Sequence, residues 1–499
     1  MGKSTHLSYD SANKIQSENS RLRNVSELNF IEGEWRGAKQ SIERENPAHP
    51  NEIVSVYPNS GEREANAAFD AAARAFPLWR DTSIIQRARV MQKAARILEN
   101  DLESAARDVA CEVGKPIFEA RLEVRRAVDL LDYYASSAWQ PQGFVVPSAR
   151  PQTELRAKRV PLGVVALITP WNFPIAIPTW KLAPALIAGN ALVMKPATYG
   201  AAGALHLIRA LEQAGIPRGV VNLVIGRGAM FGKAMVEHPA VRALSFTGSV
   251  EVGNALKRAL ASRNLRVQLE LGSKNPFLVW RDADLDDAAR LATEGAFFYA
   301  GQKCTATSRV IVHQEVYEPF REKLIAATNA LVMGEPLDEA TRVGPLIDRA
   351  SERNVAEYVE KGKADGGRVL CGGKDYTGDG YFYPPTILEN VPLDAELAQS
   401  EVFGPLVTLH AVTSLDEMIQ AANATEYGLS ASISTRDVQV METFLNRVEA
   451  GLLHVNQPTA GVEYQAPFGG TRASGFGPKE QGWSAFEFYS DWRTHIVRS

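Results

Sequence analysis

The chain has 499 residues, 45% hydrophobic and 22% charged, with a net charge of −4. That length needs more than one core, and so mild an acidity excludes a chain built to bind polyanions or coat a membrane surface. Three widely separated cysteines, Cys111, Cys304 and Cys371, exclude a disulfide framework or a clustered zinc site and point to a reducing, cytoplasmic setting.

The first 27 residues are polar, lack an apolar signal-like stretch, and read as a disordered or loosely attached segment. The apolar runs are too interrupted to predict a transmembrane helix. Apolar residues at three-to-four spacing predict helices over 62–79, 86–114 and 118–139. "PQGFVVPSARPQTELRAKRV", residues 141–160, alternates and carries three prolines, which predicts an extended hairpin away from the main body. Strands are predicted over 163–169, 191–196, 220–226, 241–248 and 266–271, with helices over 177–189, 200–215, 229–238 and 251–262 between them. Repeated βα units with apolar strands imply a parallel sheet covered by helices, a doubly wound nucleotide-binding architecture. A helix over 284–301 opens a second α/β region that runs to about residue 480. The tail "SAFEFYSDWRTHIVRS" is aromatic and β-leaning, and is read as a strand pairing with the hairpin near residue 150 or with another subunit.

Several side chains stand where chemistry would sit. Cys304, in "AGQKCTATSR", follows an apolar helix and has polar neighbours, unlike a buried structural thiol. Lys195 ends the strand "ALVMKP", either as a ligand anchor or as a solvated strand-end lysine. Thr247, Gly248 and Ser249 end a strand and open a helix; they suit a pyrophosphate, or Ser249 is simply an N-cap. Glu270 ends an apolar strand, as a general base or a salt-bridged carboxylate. Asn172 in "TPWNFP" is an oxyanion donor or a turn-forming residue before Pro174. The glycines of "IGRGAMFG" are one residue too widely spaced for the dinucleotide fingerprint.

Together "PWNFP", "KLAPALIAGNALVMKPA", "FTGS", "LELGSKNP", "GQKC", "EVFGP" and "PFGGTRASGFG" make the chain resemble the aldehyde dehydrogenase superfamily from about residue 28 to the end. The resemblance implies two Rossmann-like α/β lobes and a small β flap: a dinucleotide-binding domain from 28–140 and 161–269, a catalytic domain from 270–480, and an oligomerisation flap from 141–160 and 481–499. It makes Cys304 the nucleophile, Glu270 the general base, and Asn172 with the Cys304 amide the oxyanion hole. Lys195 would hold the adenosine ribose, Gly248 and Ser249 the pyrophosphate, and Glu401 and Phe403 the nicotinamide ribose and ring. Thr169, Pro170, Trp171, Thr198, Gly228, Phe246, Thr247 and Leu271 complete the expected cofactor cleft. Arg121, Trp180, Lys303, Thr305 and Phe468 are the expected substrate contacts, with Arg121 or Lys303 meeting a substrate carboxylate. No metal is expected.

The implied reaction is attack of the thiolate on an aldehyde, hydride transfer to a nicotinamide, and hydrolysis of the resulting thioester by water that Glu270 activates. Glu270 argues against a CoA-acylating relative, and intact catalytic positions argue against a silent scaffold. Thr198 stands where NAD-preferring relatives often carry Glu, so NADP or NAD is expected. Ser273 replaces the family's usual second glycine, placing a hydroxyl beside the base. Ala306 excludes a redox pair between Cys304 and a thiol two residues on. "ITPWNFPIAIP", "GQKCTATSR" and "HVNQPTAG" look most like the α-ketoglutaric semialdehyde (2,5-dioxopentanoate) dehydrogenases of bacterial sugar-acid catabolism. Succinic semialdehyde or another small or aromatic aldehyde is the alternative substrate. A homodimer or homotetramer is expected, with no nucleic-acid or membrane partner.

Overall fold

The computed structural model describes residues 28–374 and 376–498; the polar N-terminal segment lies outside the described residues. Four sheets organise the fold. In the first, Val164–Thr169, Ala191–Pro196, Val221–Leu223, Val241–Thr247 and Arg266–Glu270 run parallel. Val164–Thr169 lies between Ala191–Pro196 and Val241–Thr247, so the chain winds outward through Val221–Leu223 and then reverses. A parallel sheet opens a crevice beyond the carboxyl ends of its strands at such a reversal. Thr169 and Thr247 end the two strands that flank it. Antiparallel edges complete this sheet: Asn29–Ile31 with Glu34–Arg36 on one side, and Gly475–Phe476 beside Arg266–Glu270 on the other.

The second sheet has a similar reversal. Asn275–Val279 lies between Thr307–His313 and Ser430–Ser434, with Leu406–Val412, Thr386–Glu389 and Leu452–Val455 also parallel. Cys304 lies in the connection entering Thr307–His313. The third sheet pairs Gly143–Val146 with Thr153–Pro161, and Thr153–Pro161 with Ser490–Arg498. The hairpin and the end of the tail therefore meet within one chain. A fourth, two-stranded sheet joins Ser41–Asn46 to His49–Pro58.

The helix Ala176–Ala188 is buried on every side, between the first sheet and the helices Ile84–Asn100 and Ile117–Ser136. An all-round apolar pattern without an amphipathic stripe is what such a central position requires.

Two expectations need correction. The helix expected over 86–114 is two helices, Ile84–Asn100 and Leu102–Val113. Asp101 between them leaves helical geometry (φ −97°, ψ 7°), and its carboxylate lies 2.5 Å from His206 Nδ1 on the helix Ala201–Ala214. The tail is not β throughout: Gly482–Phe488 is a helix that buries Ala485, Phe486 and Phe488 against Ala176–Ala188, and only Ser490–Arg498 is strand. Tertiary burial overrides aromatic β-propensity there.

Candidate active site

Three residues in succession, Tyr299, Ala300 and Gly301, adopt left-handed backbone angles (φ 56°, 52° and 67°) just before Cys304. Two of them carry a Cβ, so the turn stores strain that its surroundings must hold. Gln302 is one clamp: its Oε1 accepts from Ile347 N at 2.9 Å and its Nε2 donates to Pro345 O at 3.2 Å. Asn275 is the other, its Nδ2 donating to Cys304 O at 2.8 Å and Ala306 O at 2.9 Å. The thiol is thereby fixed in place. Burial pushes the Cys304 pKa well above the ordinary thiol value, and the nearby carboxylates of Glu270, Glu401 and Glu480 push it the same way.

Glu270 ends its strand at 2% exposure. Its Oε2 accepts from Gly470 N at 3.3 Å, while Oε1 has no hydrogen-bond partner among the described residues. Burial first, then the charge of Glu480, raises its pKa well above the usual carboxylate range. A carboxylate so destabilised is a strong proton acceptor. Glu401 is half-buried and raised by desolvation to about 7, with Oε1 accepting from Ser273 N at 2.9 Å. A Cβ on Gly272 would collide with Glu401 Oε2, so the glycine is required there. The Ser273 hydroxyl donates to Asn275 Oδ1 at 2.8 Å, so its added bulk braces the clamp on Cys304.

Asn172 is 3% exposed, and its Nδ2 donates one N–H to Gln302 O at 3.0 Å, leaving the second uncommitted. Its own carbonyl accepts from Lys115 Nζ at 2.7 Å. Lys115 is ion-paired with Glu123, both 1% exposed at the side chain. Glu123 Oε1 accepts in turn from Ile175 N at 2.9 Å and Ala176 N at 3.1 Å, closing the amino end of the helix Ala176–Ala188. Lower on that helix, Lys181 is ion-paired with Glu480, whose Oε2 accepts from Trp180 Nε1 at 2.7 Å.

The crevice of the first sheet gathers unsatisfied polar groups. Lys195 is 7% exposed, makes no hydrogen bond among the described residues, and is lowered by burial to about 8. The hydroxyls of Thr169 and Thr247 are buried without partners. Gly228 opens the helix Gly228–Glu237, and a Cβ built on it would come 4.0 Å from Lys195 Nζ. Gly248 precedes the helix Val250–Leu260, which Ser249 caps by accepting from Val252 N at 3.4 Å. Phe246 and Leu271 are buried, Thr198 is half-buried after the Lys195 strand, and Trp171, next to Pro170, meets Phe403 edge-on at 5.5 Å. Buried donors beside two helix amino ends fit a ligand rich in phosphate and hydroxyl oxygens, as a nicotinamide dinucleotide is.

A separate cavity of about 230 Å³ has Cys304 in its wall, together with Trp180, Lys303, Thr305 and Phe468. Trp180 and Phe468 form a tilted ring pair at 5.4 Å. Lys303 does not offer a free charge, because its Nζ lies 2.5 Å from Glu119 Oε1. Arg121 is outside the cavity, ion-paired with Glu103 at 2.8 Å and Glu339 at 2.7 Å. Helical spacing explains the correction: Leu122, Glu123 and Arg126 face the cavity from the helix Ile117–Ser136, and Arg121 looks away from it.

Residues 35–495 match the model of the aldehyde dehydrogenase family. The chain belongs to that family. An alpha-ketoglutaric semialdehyde dehydrogenase of Bacillus subtilis is 42% identical over 94% of this chain and 98% of its own. The crystal structure of an NADP dependent enzyme of E. coli superposes with a TM-score of 0.92 at 36% identity, covering 95% of this chain and 98% of the other. That of an NAD-dependent aldehyde dehydrogenase from Sinorhizobium meliloti gives 0.93 at 34%, covering 96% of both. The two solved relatives bracket the cofactors expected for this aldehyde dehydrogenase, NAD or NADP.

The sequence reading of this aldehyde dehydrogenase did not single out Lys115, Glu123, Lys181, Glu480, Gln302 or Asn275. A usable signal was present for some: Glu123 and Lys181 are charges at apolar-periodic positions of predicted helices. A charge facing a core implies a buried partner. Which partner it finds depends on chain crossings 52 to 300 residues apart, as in the Glu123–Ile175 and Trp180–Glu480 bonds.

Proposed function

We propose that the enzyme oxidises 2,5-dioxopentanoate to 2-oxoglutarate with NAD or NADP, Cys304 being the nucleophile. The observation that carries the mechanism is the clamped, half-buried Cys304 thiol in the wall of a cavity and within the field of Glu270. The substrate reading rests on similarity along almost the full length of the Bacillus subtilis enzyme. Glu270, with its raised proton affinity, takes the thiol proton, and Sγ adds to the aldehyde carbon. The oxygen that gathers charge is met by the uncommitted N–H of Asn172 and the backbone N–H of Cys304. Lys195, Thr169, Thr247 and the helix amino end at Gly248 hold the dinucleotide, and Glu401 and Phe403 its reactive end. The nicotinamide, when bound, supplies the two-electron oxidant for the thiohemiacetal. Once Glu270 has released the thiol proton to solvent, it takes a proton from the water that cleaves the thioester, releasing carboxylate and free thiol.

We also propose the division into a dinucleotide-binding domain, a catalytic domain and a flap, which the separate sheets support, with the flap serving assembly. Phe144, Val145, Val146, Trp492, Ile496 and Val497 are exposed on the three-stranded sheet. Apolar side chains exposed on both faces of this sheet support a homodimer or homotetramer. Three free thiols support work in the cytoplasm; no helix among the described residues is long and apolar enough to cross a membrane.

The test is kcat/KM for a panel of aldehydes with each cofactor. A lead of roughly tenfold for 2,5-dioxopentanoate, about 1.4 kcal/mol, supports the substrate. A lead for succinic semialdehyde or a neutral aldehyde rejects that substrate and keeps the mechanism.

A further inference from the structure

The cavity beside Cys304 sorts its charges into committed and uncommitted ones. Glu123 is held by Lys115, and Lys303 is held by Glu119. Arg126, five residues beyond Arg121 on the same helix, also lines the cavity and has no carboxylate partner among the described residues. Its guanidinium instead lies 5.1 Å from the ring centroid of Tyr464. A guanidinium against an aromatic ring keeps its in-plane donors for an oxygen ligand, and its planar fork matches a carboxylate. With the other lining charges paired, one net positive charge faces the cavity.

A second and independent feature stands in the same wall. Gln481 is 1% exposed, and neither its Nε2 nor its Oε1 has a hydrogen-bond partner among the described residues. Its backbone is held left-handed at φ 57°. An amide buried without partners is unfavourable for folding, a penalty that a ligand with a matching acceptor removes. A strained, unsatisfied side chain lining a cavity points to such a ligand.

We propose that Arg126 and Gln481 form the subsite for the end of the substrate remote from the aldehyde. Arg126 pairs with the carboxylate, and Gln481 Nε2 donates to the oxygen on the adjacent carbon. The ligand class is a short ω-oxo acid, and the two donors in one cavity wall select a 2-keto acid from it. This rests on the semialdehyde reading above and adds to it the residues that set specificity. It also replaces Arg121 and Lys303 as the cations that meet the carboxylate.

Three five-carbon aldehydes separate the parts: 2,5-dioxopentanoate, 5-oxopentanoate, which lacks the keto oxygen, and pentanal, which also lacks the carboxylate. In Arg126→Met, the ratio of kcat/KM for 5-oxopentanoate to that for pentanal is expected to fall about 100-fold, with Arg126→Lys losing roughly tenfold. In Gln481→Met, the ratio for 2,5-dioxopentanoate to 5-oxopentanoate is expected to fall roughly tenfold. Equal losses on all three aldehydes mark a structural role and overturn the subsite. A wild-type lead for 2,5-dioxopentanoate that survives Arg126→Met keeps the function and removes Arg126 from it. A wild type that favours both acids equally, with that preference lost in Arg126→Met, keeps the arginine, rejects the keto contact and rejects the proposed substrate. Should Arg126→Met fail to fold, Arg126→Lys decides, together with wild-type Cys304 alkylation by iodoacetamide. Protection by 2-oxoglutarate exceeding that by neutral 2-pentanone is expected; equal protection overturns the proposal.

Discussion

Two groups of buried polar residues are treated in opposite ways. Around the helix Ala176–Ala188, buried charges have partners: Lys115 with Glu123, Lys181 with Glu480. Along the strand ends of the first sheet, buried groups are left open: the Lys195 ammonium, the hydroxyls of Thr169 and Thr247, and Glu270 Oε1. A paired buried charge holds geometry, and removing one partner strands the other. An unpaired buried group destabilises the free protein and is ready for a ligand or a proton. The comparison teaches that positioning and reacting are assigned to different residues, distinguishable by whether a side chain is already satisfied.

The distinction can be broken in several ways, beginning with the chemistry itself. Cys304→Ala is expected to lower kcat by about 10⁴-fold or more, since nothing else in the site replaces the nucleophile. Equilibrium cofactor binding should persist in that variant; its loss in titration calorimetry would show the thiol to be structural. On the paired side, Glu123→Ala should lower unfolding free energy by about 3–5 kcal/mol by leaving Lys115 buried alone. Urea titration reads this, and a midpoint unchanged from wild type would contradict the pairing argument. Asn172→Ala removes one oxyanion donor and should reduce kcat about 10²- to 10³-fold with little change in KM.

Lys195→Met sharpens the contrast further, because it should move stability and function in opposite directions. It deletes an unpaired buried cation, so the melting temperature of the free enzyme should rise while the cofactor KM rises roughly tenfold. A fall in both stability and affinity would place Lys195 among the paired residues. The smallest catalytic effect is expected from Glu480→Gln, although it strands Lys181 and costs stability as Glu123→Ala does. The Glu480 charge raises the proton affinity of Glu270, so neutralising it lowers that affinity. The Glu270 pKa falls, its basic form persists to lower pH, and the acid limb of the kcat profile shifts to lower pH. A limb that stays in place means that Glu270 does not set it.

The two treatments were unequally legible in the sequence. The open groups lie at strand ends inside short motifs, so Lys195, Thr247, Glu270 and Asn172 were found from local pattern and resemblance. The paired groups depend on which elements cross. Lys115 reaches Asn172 across 57 positions, and Lys181 meets Glu480 across 299. Arg121 and Arg126 show the same limit within one helix: both are cations near the right place, and only the helix rotation in the packed fold turns Arg126 toward the cavity.

Apolar periodicity and the order of βα units determined the doubly wound sheets, because side-chain spacing alone dictates which face of a strand or helix is buried. The motif residues determined the chemistry, because nucleophile, base and amide donor are set by residue type. Tertiary structure alone decided three things: the break at Asp101, where a carboxylate joins His206 in place of continuing a helix; the helix Gly482–Phe488, which burial imposes on an aromatic, β-leaning stretch; and the partners of the buried charges. Each depends on how packed elements meet, across 105 positions for Asp101 and His206 and 299 for Lys181 and Glu480, which local propensity does not contain.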